Sequence, residues 1–130
     1  MKKTKEMIEF EEQVGFINHN HITIKDIKKD TVTLEADIQP TSLNPYGYVH
    51  GGLLFGLADT AMGFSAKLTG RSAVTSTANI TYVKPAKGKT IKAVAEVIKQ
   101  GKTMVHLQAK LYNDQEELVA IANSSYFYVE

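Results

Sequence analysis

Cysteine is absent from the 130 residues of this chain. Disulfides, thiolate nucleophiles and cysteine-held metal sites are excluded with it. An excess of charge is lacking too: 15 Lys and Arg stand against 14 Asp and Glu, a formal net charge of +1. Such a balance argues against broad electrostatic capture of nucleic acid or of a membrane surface, so neither is an expected partner. Nor is there a long hydrophobic run. The N-terminal MKKTKEMIEFEEQVGF begins basic, but Glu6, Glu9, Glu11 and Glu12 interrupt the apolar stretch that a signal peptide needs. The most apolar segment is too short to span a bilayer and carries four glycines and an aspartate. Hydrophobic residues at 43% and charged residues at 22% place the chain among globular proteins rather than disordered ones. The expectation is one cytoplasmic domain, residues 1–130, long enough for a real core.

Apolar periodicity supplies the elements. Met7, Ile8, Phe10, Val14 and Phe16 predict a short amphipathic helix closed by Gly15. Alternation over 21–27, then at Val32, Leu34, Ala36 and Ile38, predicts two strands with a turn at Lys29-Asp30. Pro40 ends the second, and 41–49 forms a loop punctuated by Pro45 and Gly47. A helix follows over 51–68, closing at Gly70. It is apolar on every side, and such a helix is buried on every side. One sheet in so small a chain covers only part of it, so something further must cover the rest. Residues 72–83, 90–99, 102–112 and 118–129 are rich in Val, Ile, Thr and Tyr and read as strands. Their joints, at 85–88, 100–101 and 113–115, are short, which favours antiparallel hairpins. The expected fold class is α+β: about six antiparallel strands in a curved sheet wrapped around one long central helix.

The chemistry is concentrated in NPYGYVHGGLLFGLADTAMGFSAK, residues 44–67. From Gly51 to Ala66, Asp59 is the one ionisable residue. A lone carboxylate in a buried helix is costly unless it has partners or work to do. Gly51 and Gly52 open the helix, where the first N–H groups lack intrahelical partners and carry the positive end of the helix dipole. Without a Cβ they admit a carbonyl oxygen closely, as an oxyanion hole requires; a tight turn or close packing explains the same glycines. Asp59 lies eight residues beyond Gly51, hence ~12 Å along the axis. One chain cannot bring the two together. A second copy with its helix antiparallel can, and a two-fold dimer then holds two equivalent sites. A structural carboxylate bonded to nearby Ser or Thr is the other reading of Asp59.

Asn44, His50-Gly51-Gly52 and Leu57-Ala-Asp59-Thr-Ala resemble the hotdog-fold acyl-CoA thioesterases, in particular the phenylacetic-acid-pathway (PaaI-like) type. The resemblance covers about residues 32–128 and includes Asn79-Ile-Thr-Tyr82 and Lys84-Pro85-Ala86. It implies a hotdog fold and hydrolysis of an acyl-CoA or aryl-CoA thioester, with coenzyme A part of the substrate and neither cofactor nor metal required. It also implies a homo-oligomer, a dimer of dimers. By the same resemblance the Gly51 N–H polarises the carbonyl, and Asp59 of the other subunit acts as nucleophile or general base. Asn44 and His50 hydrogen-bond near the reaction centre. A hydroxyl on the strand after the helix places the water or the carboxylate; Thr75 and Thr77 both qualify as alternate residues of one strand, with Thr75 preferred.

Weaker candidates surround this core. Gly52 and Thr77 are possible substrate contacts. Lys84 and Lys87, with Lys89, suit the phosphates of coenzyme A or a charged hairpin, and Arg71 is a similar candidate. Tyr46 and Tyr48 line an acyl pocket or pack on a partner. His19 and His21 have metal-ligand spacing but no third ligand, and a solvated loop explains them; His106 is expected to face solvent. Two rival readings remain: a hotdog hydratase or dehydratase, which fits His-Gly-Gly before Leu-Ala-Asp poorly, and a non-catalytic acyl-CoA-binding module. A DNA-binding regulator of that second kind would need more than the 16 or so residues before the first strand.

Overall fold

The computed structural model describes residues 4–12, 15–29 and 31–129. The chain runs α1 (Lys5–Glu11), α2 (Phe16–His19), β1 (Ile22–Ile27), β2 (Thr31–Asp37), a 3-10 turn (Pro40–Ser42), α3 (Gly51–Lys67), β3 (Ala73–Tyr82), β4 (Thr90–Gln100), β5 (Met104–Asn113) and β6 (Leu118–Tyr128). Six strands form one sheet in the order β1-β2-β4-β5-β6-β3, every neighbour antiparallel. The α+β expectation, one long helix against an antiparallel sheet of six strands, describes the molecule.

Alanines determine how α3 lies on the sheet. Val32, Ala95, Ala109, Ala122 and Ile80 are successive cross-strand partners through β2, β4, β5, β6 and β3. The three alanines are fully buried, and their short side chains leave a trough for the helix. Leu54, Leu57, Ala58, Ala61 and Met62 fill it from above. Full burial of a Leu such as Leu57 stabilises by roughly 1.5–3 kcal/mol.

Four expectations need correction. The N-terminal segment is two helices, not one. Thr4 caps α1 through its side chain, and Gly15, at φ 125°, is the N-cap of α2 rather than the end of a single helix. Val14 lies outside the described residues. These helices also cover part of what the sheet leaves open on α3, a task the sequence reading gave to a second copy: Met7 is buried, Phe10 meets Phe64 edge-on at 4.7 Å, and Phe16 packs on Gly56. Secondly, β1 starts at Ile22, because His21 sits in the left-handed region (φ 54°) and cannot continue a strand. Of the turn at Lys29-Asp30, Asp30 lies outside the described residues; Lys28 N–H closes on Thr31 O at 2.9 Å. Thirdly, the joint between β3 and β4 is not a hairpin. The sheet order places β3 at the far edge, so residues 83–89 cross the end of the sheet instead. Val49 N–H to Ala86 O (2.9 Å) and Ile38 N–H to Lys89 O (2.8 Å) hold this segment beside the start of α3.

The fourth correction concerns β3. A bulge interrupts its pairing with β6 between Thr75 and Thr77. An extra residue switches the side-chain alternation. Accordingly the half-buried positions change from Ala73 to Ala78 and Ile80. Thr75 and Thr77 therefore do not share a face.

Candidate active site

His50 stops the loop and starts α3. Its Nδ1 accepts the Gly52 N–H at 2.8 Å, the side-chain cap of the helix. An accepting Nδ1 leaves the ring proton on Nε2. The Gly52 donor is thus engaged by the cap, whereas the Gly51 N–H has no hydrogen-bond partner among the described residues. Gly51 is also crowded on its Cα side: a Cβ there would lie 3.1 Å from Tyr82 Oη and 3.2 Å from its Cζ. Tyr82 donates to Gly51 O at 2.8 Å, which fixes the ring in place. Burial pushes the Tyr82 phenol up from its ordinary value and keeps it a donor.

The free N–H opens into a cleft of about 380 Å³ lined by Asn44, Tyr48, Gly51, Leu54, Tyr82 and Lys84, among others. Asn44 Oδ1 accepts from Tyr46 N–H (2.9 Å) and Tyr48 N–H (3.1 Å), so this side chain shapes the loop as an Asx turn does. Its Nδ2 makes no hydrogen bond among the described residues. Tyr48 is half-buried at the wall while Tyr46 is exposed. Both candidate lysines are engaged at the rim. Lys84 Nζ pairs with Glu117 Oε2 at 2.9 Å, and Lys87 Nζ sits 4.8 Å from the Tyr48 ring centre. Hydrogen bonds from Asn113, then from Lys84, hold the Glu117 carboxyl below the usual carboxylate range.

Asp59 is half-buried two turns further along α3. Thr75 Oγ1 donates to its Oδ1 at 2.9 Å. Tyr126 Oη donates to the same Oδ1 at 2.7 Å and lies 2.7 Å from the Asp59 backbone oxygen. Burial, above all, pushes the Tyr126 phenol far above its ordinary value, and the Asp59 carboxylate adds to this. Thr77 makes no hydrogen bond to Asp59 among the described residues, in keeping with the bulge. Sequence reasoning missed Tyr82 and Tyr126. The one available signal was a tyrosine on the small-residue face of β6, in register with Ala120, Ala122 and Ser124, since a buried phenol needs a partner for its hydroxyl.

The remaining candidates stay away from this site. Arg71 stacks on Tyr128 at 3.8 Å and donates to Lys102 O. His106 is exposed, as expected, with Nδ1 2.6 Å from Ser125 Oγ on the outer sheet face. Neither His19 nor His21 belongs to a group of three or more metal-ligating side chains among the described residues. Among those residues no helix is long and apolar enough to cross a membrane.

Known proteins resemble this chain in both fold and sequence. Residues 46–120 match the model of the thioesterase superfamily. The acyl-coenzyme A thioesterase PaaI of Escherichia coli is 36% identical over 92 residues, 70% of this chain but 63% of its own length, so the alignment spans under two thirds of that protein. Its structure superposes with a TM-score of 0.87 over 95% of this chain and 89% of that one, at 26% identity. Human acyl-coenzyme A thioesterase 13 is 36% identical over 95 residues, 71% of this chain and 68% of its own. A Bacillus halodurans protein solved with CoA is 42% identical, with a TM-score of 0.72 over 74% of this chain and 70% of that one.

Proposed function

This chain belongs to the thioesterase superfamily, and from that premise we propose that it hydrolyses acyl- or aryl-coenzyme A thioesters in sites shared between two copies of itself. The observation that carries the reading is the split of the machinery along α3. At its start the Gly51 N–H has no hydrogen-bond partner among the described residues, and Gly51 borders a cleft. Eight residues on, Asp59 is held by Thr75 and Tyr126. The ~12 Å between them exceeds what one thioester carbonyl and its attacking water can bridge. The names of the relatives, and the CoA bound to the Bacillus halodurans protein, support the substrate class.

In this mechanism the thioester carbonyl oxygen points at the Gly51 N–H, where the positive end of the helix dipole favours developing negative charge. His50 offers Nε2–H, and Asn44 offers Nδ2, toward the same region. Asp59 of the partner either removes a proton from a water whose oxygen bonds to the carbonyl carbon, or bonds to that carbon itself, giving an anhydride that water hydrolyses after the thiolate has left. The C–S bond then breaks and coenzyme A leaves as a thiolate, an adequate leaving group that needs no metal. Lys84 and Lys87 at the rim suit the phosphates of coenzyme A.

The partner's approach is favoured by β3, an edge strand that pairs with β6 alone among the described strands, with Val74, Tyr82 and the following Val83 each about half exposed. An unpaired apolar edge invites a strand from another molecule. A dimer formed there brings two α3 helices alongside each other, and two such dimers make the expected tetramer.

Two experiments test the reading. Asp59→Asn should keep the dimer and bind a CoA thioester, yet lose hydrolysis by roughly a hundredfold or more, the scale of a positioned base. Near wild-type turnover in that variant refutes the mechanism. Mixing Asp59→Asn subunits with subunits altered at Gly51 should recover activity through hybrid dimers; hybrids that form without any recovery refute the shared site.

A further inference from the structure

We infer that Tyr126 is the positioning residue of the catalytic carboxylate, and that it leaves Oδ2 of Asp59 as the reacting oxygen. This rests on the thioesterase reading above and goes beyond it by assigning a residue and an atom.

Tyr126 projects from β6, 67 positions from Asp59 in sequence. Its side chain is 3% exposed and lies against Gly63, one helical turn beyond Asp59, where a Cβ would make ordinary contact at 3.4 Å from Tyr126 Oη. The hydroxyl reaches two atoms of one residue, the backbone oxygen and Oδ1 of Asp59, each at 2.7 Å. A group held by backbone and side chain together has little freedom about χ1 or χ2. Thr75, arriving from β3, donates to Oδ1 as well, at 2.9 Å. Both protein donors converge on Oδ1, and Oδ2 receives no hydrogen bond among the described residues.

The asymmetry has chemical meaning. An oxygen whose lone pairs are taken by two donors is the poorer base and nucleophile of the two, whereas Oδ2 keeps its lone pairs available. Whether Asp59 takes a proton from water or attacks carbon, the electron pair therefore comes from Oδ2. Tyr126 makes no contact with substrate in this arrangement. It acts through Asp59, and its buried phenol stays protonated through neutral pH, so the donor is always present.

The test is Tyr126→Phe, which keeps the ring and deletes the hydroxyl. The expected result is an unchanged dimer and a kcat lower by roughly ten- to a hundredfold, the scale of a hydrogen bond to a charged group, with KM little altered. In an Asp59→Asn background the same change should cost nothing further, because the two residues act as a unit. A wild-type kcat, a loss confined to KM, or a full second loss on top of Asp59→Asn overturns the assignment. If the phenylalanine variant does not fold, 3-fluorotyrosine at position 126 retains the ring and sharpens the donor, and an unchanged kcat there overturns it equally. A complex with a ketone analogue of a CoA thioester addresses the atom: the water or carbonyl carbon should lie against Oδ2, and contact through Oδ1 refutes that part. Failure of the wild-type protein to hydrolyse any CoA thioester counts instead against the function, which separates the two outcomes.

Discussion

Gly51→Ala sets a gain in helix formation against a loss of space. The backbone at Gly51 is outside the left-handed region, so alanine adopts it without strain. Exchange of Gly for Ala in a helix favours folding by up to ~1 kcal/mol, and by less at the first position. Opposing this, the new Cβ would stand 3.1 Å from Tyr82 Oη and 3.2 Å from Cζ, where ordinary carbon contacts lie at about 3.5–4.0 Å. The ring has to retreat by a few tenths of an ångström, and its hydrogen bond to Gly51 O resists. Loss of that bond costs about 0.5–1.5 kcal/mol. The two effects nearly cancel, so the melting temperature should stay close to wild type. Activity should not. Deleting an oxyanion donor outright costs about 10²–10³ in kcat; here the N–H survives but shifts with the ring, and a loss of about tenfold is expected. Steady-state hydrolysis of a CoA thioester panel, followed by release of free thiol, measures it beside a thermal melt. Trimming the wall with Tyr82→Leu should remove most of the alanine's added cost, since the two positions are coupled. A Gly51→Ala protein that melts well above wild type and turns over at the full rate would refute the reasoning: Tyr82 would then be no wall, and the glycine no more than a convenient turn.

The two threonines of β3 separate cleanly. Thr75→Val should lower kcat by roughly tenfold through loss of a hydrogen bond to Asp59; Thr75→Ser should retain most of it, and Thr77→Val should leave turnover unchanged. Equal losses at 75 and 77 would contradict the bulge. Alkaline stability follows from Tyr126. Its folded-state pKa is raised, chiefly by burial, so its contribution is fully present below the ordinary tyrosine value of ~10 and is lost as pH rises above it. Thermal midpoints should therefore fall beyond about pH 10, and the fall should be shallower in Tyr126→Phe; identical slopes would remove Tyr126 from the account.

Local signals in the chain reach a definite distance. The hairpins β4–β5 and β5–β6, the bounds of α3 to within a residue, and Asp59 as an ionisable group in an apolar helix were all legible, because periodicity and short joints are local properties. What escaped depends on contacts remote in sequence. Tyr126 meets Asp59 only once β6 has docked beside β3, and no spacing rule reaches across 67 residues. The crossing of residues 83–89 looked like a hairpin because its length alone permits one. The bulge at Ser76 is invisible in a run of Ala, Val, Thr and Ser, whose members suit either face. A hydroxyl partner on β3 was expected from the resemblance, and alternation admitted Thr77 beside Thr75; the bulge sets that equivalence aside and leaves Thr75 on Asp59. At the N-terminus, Gly15 reads as the close of one helix because apolar spacing does not register that a residue at φ 125° opens a second.

The alanine trough has a consequence for how this protein can change. Ala95, Ala109 and Ala122 act as a bearing surface: they fix the height at which the helix rides above the sheet. Tyr126 grows from that same floor, four residues beyond Ala122 on β6, and its reach to Asp59 is set by that height. One added methylene under the helix would lift Asp59 off its hydroxyl without touching a residue of the cleft. If Asp59 acts as proposed, the floor belongs with the site, and its alanines should be as intolerant of exchange as the residues proposed to meet the substrate.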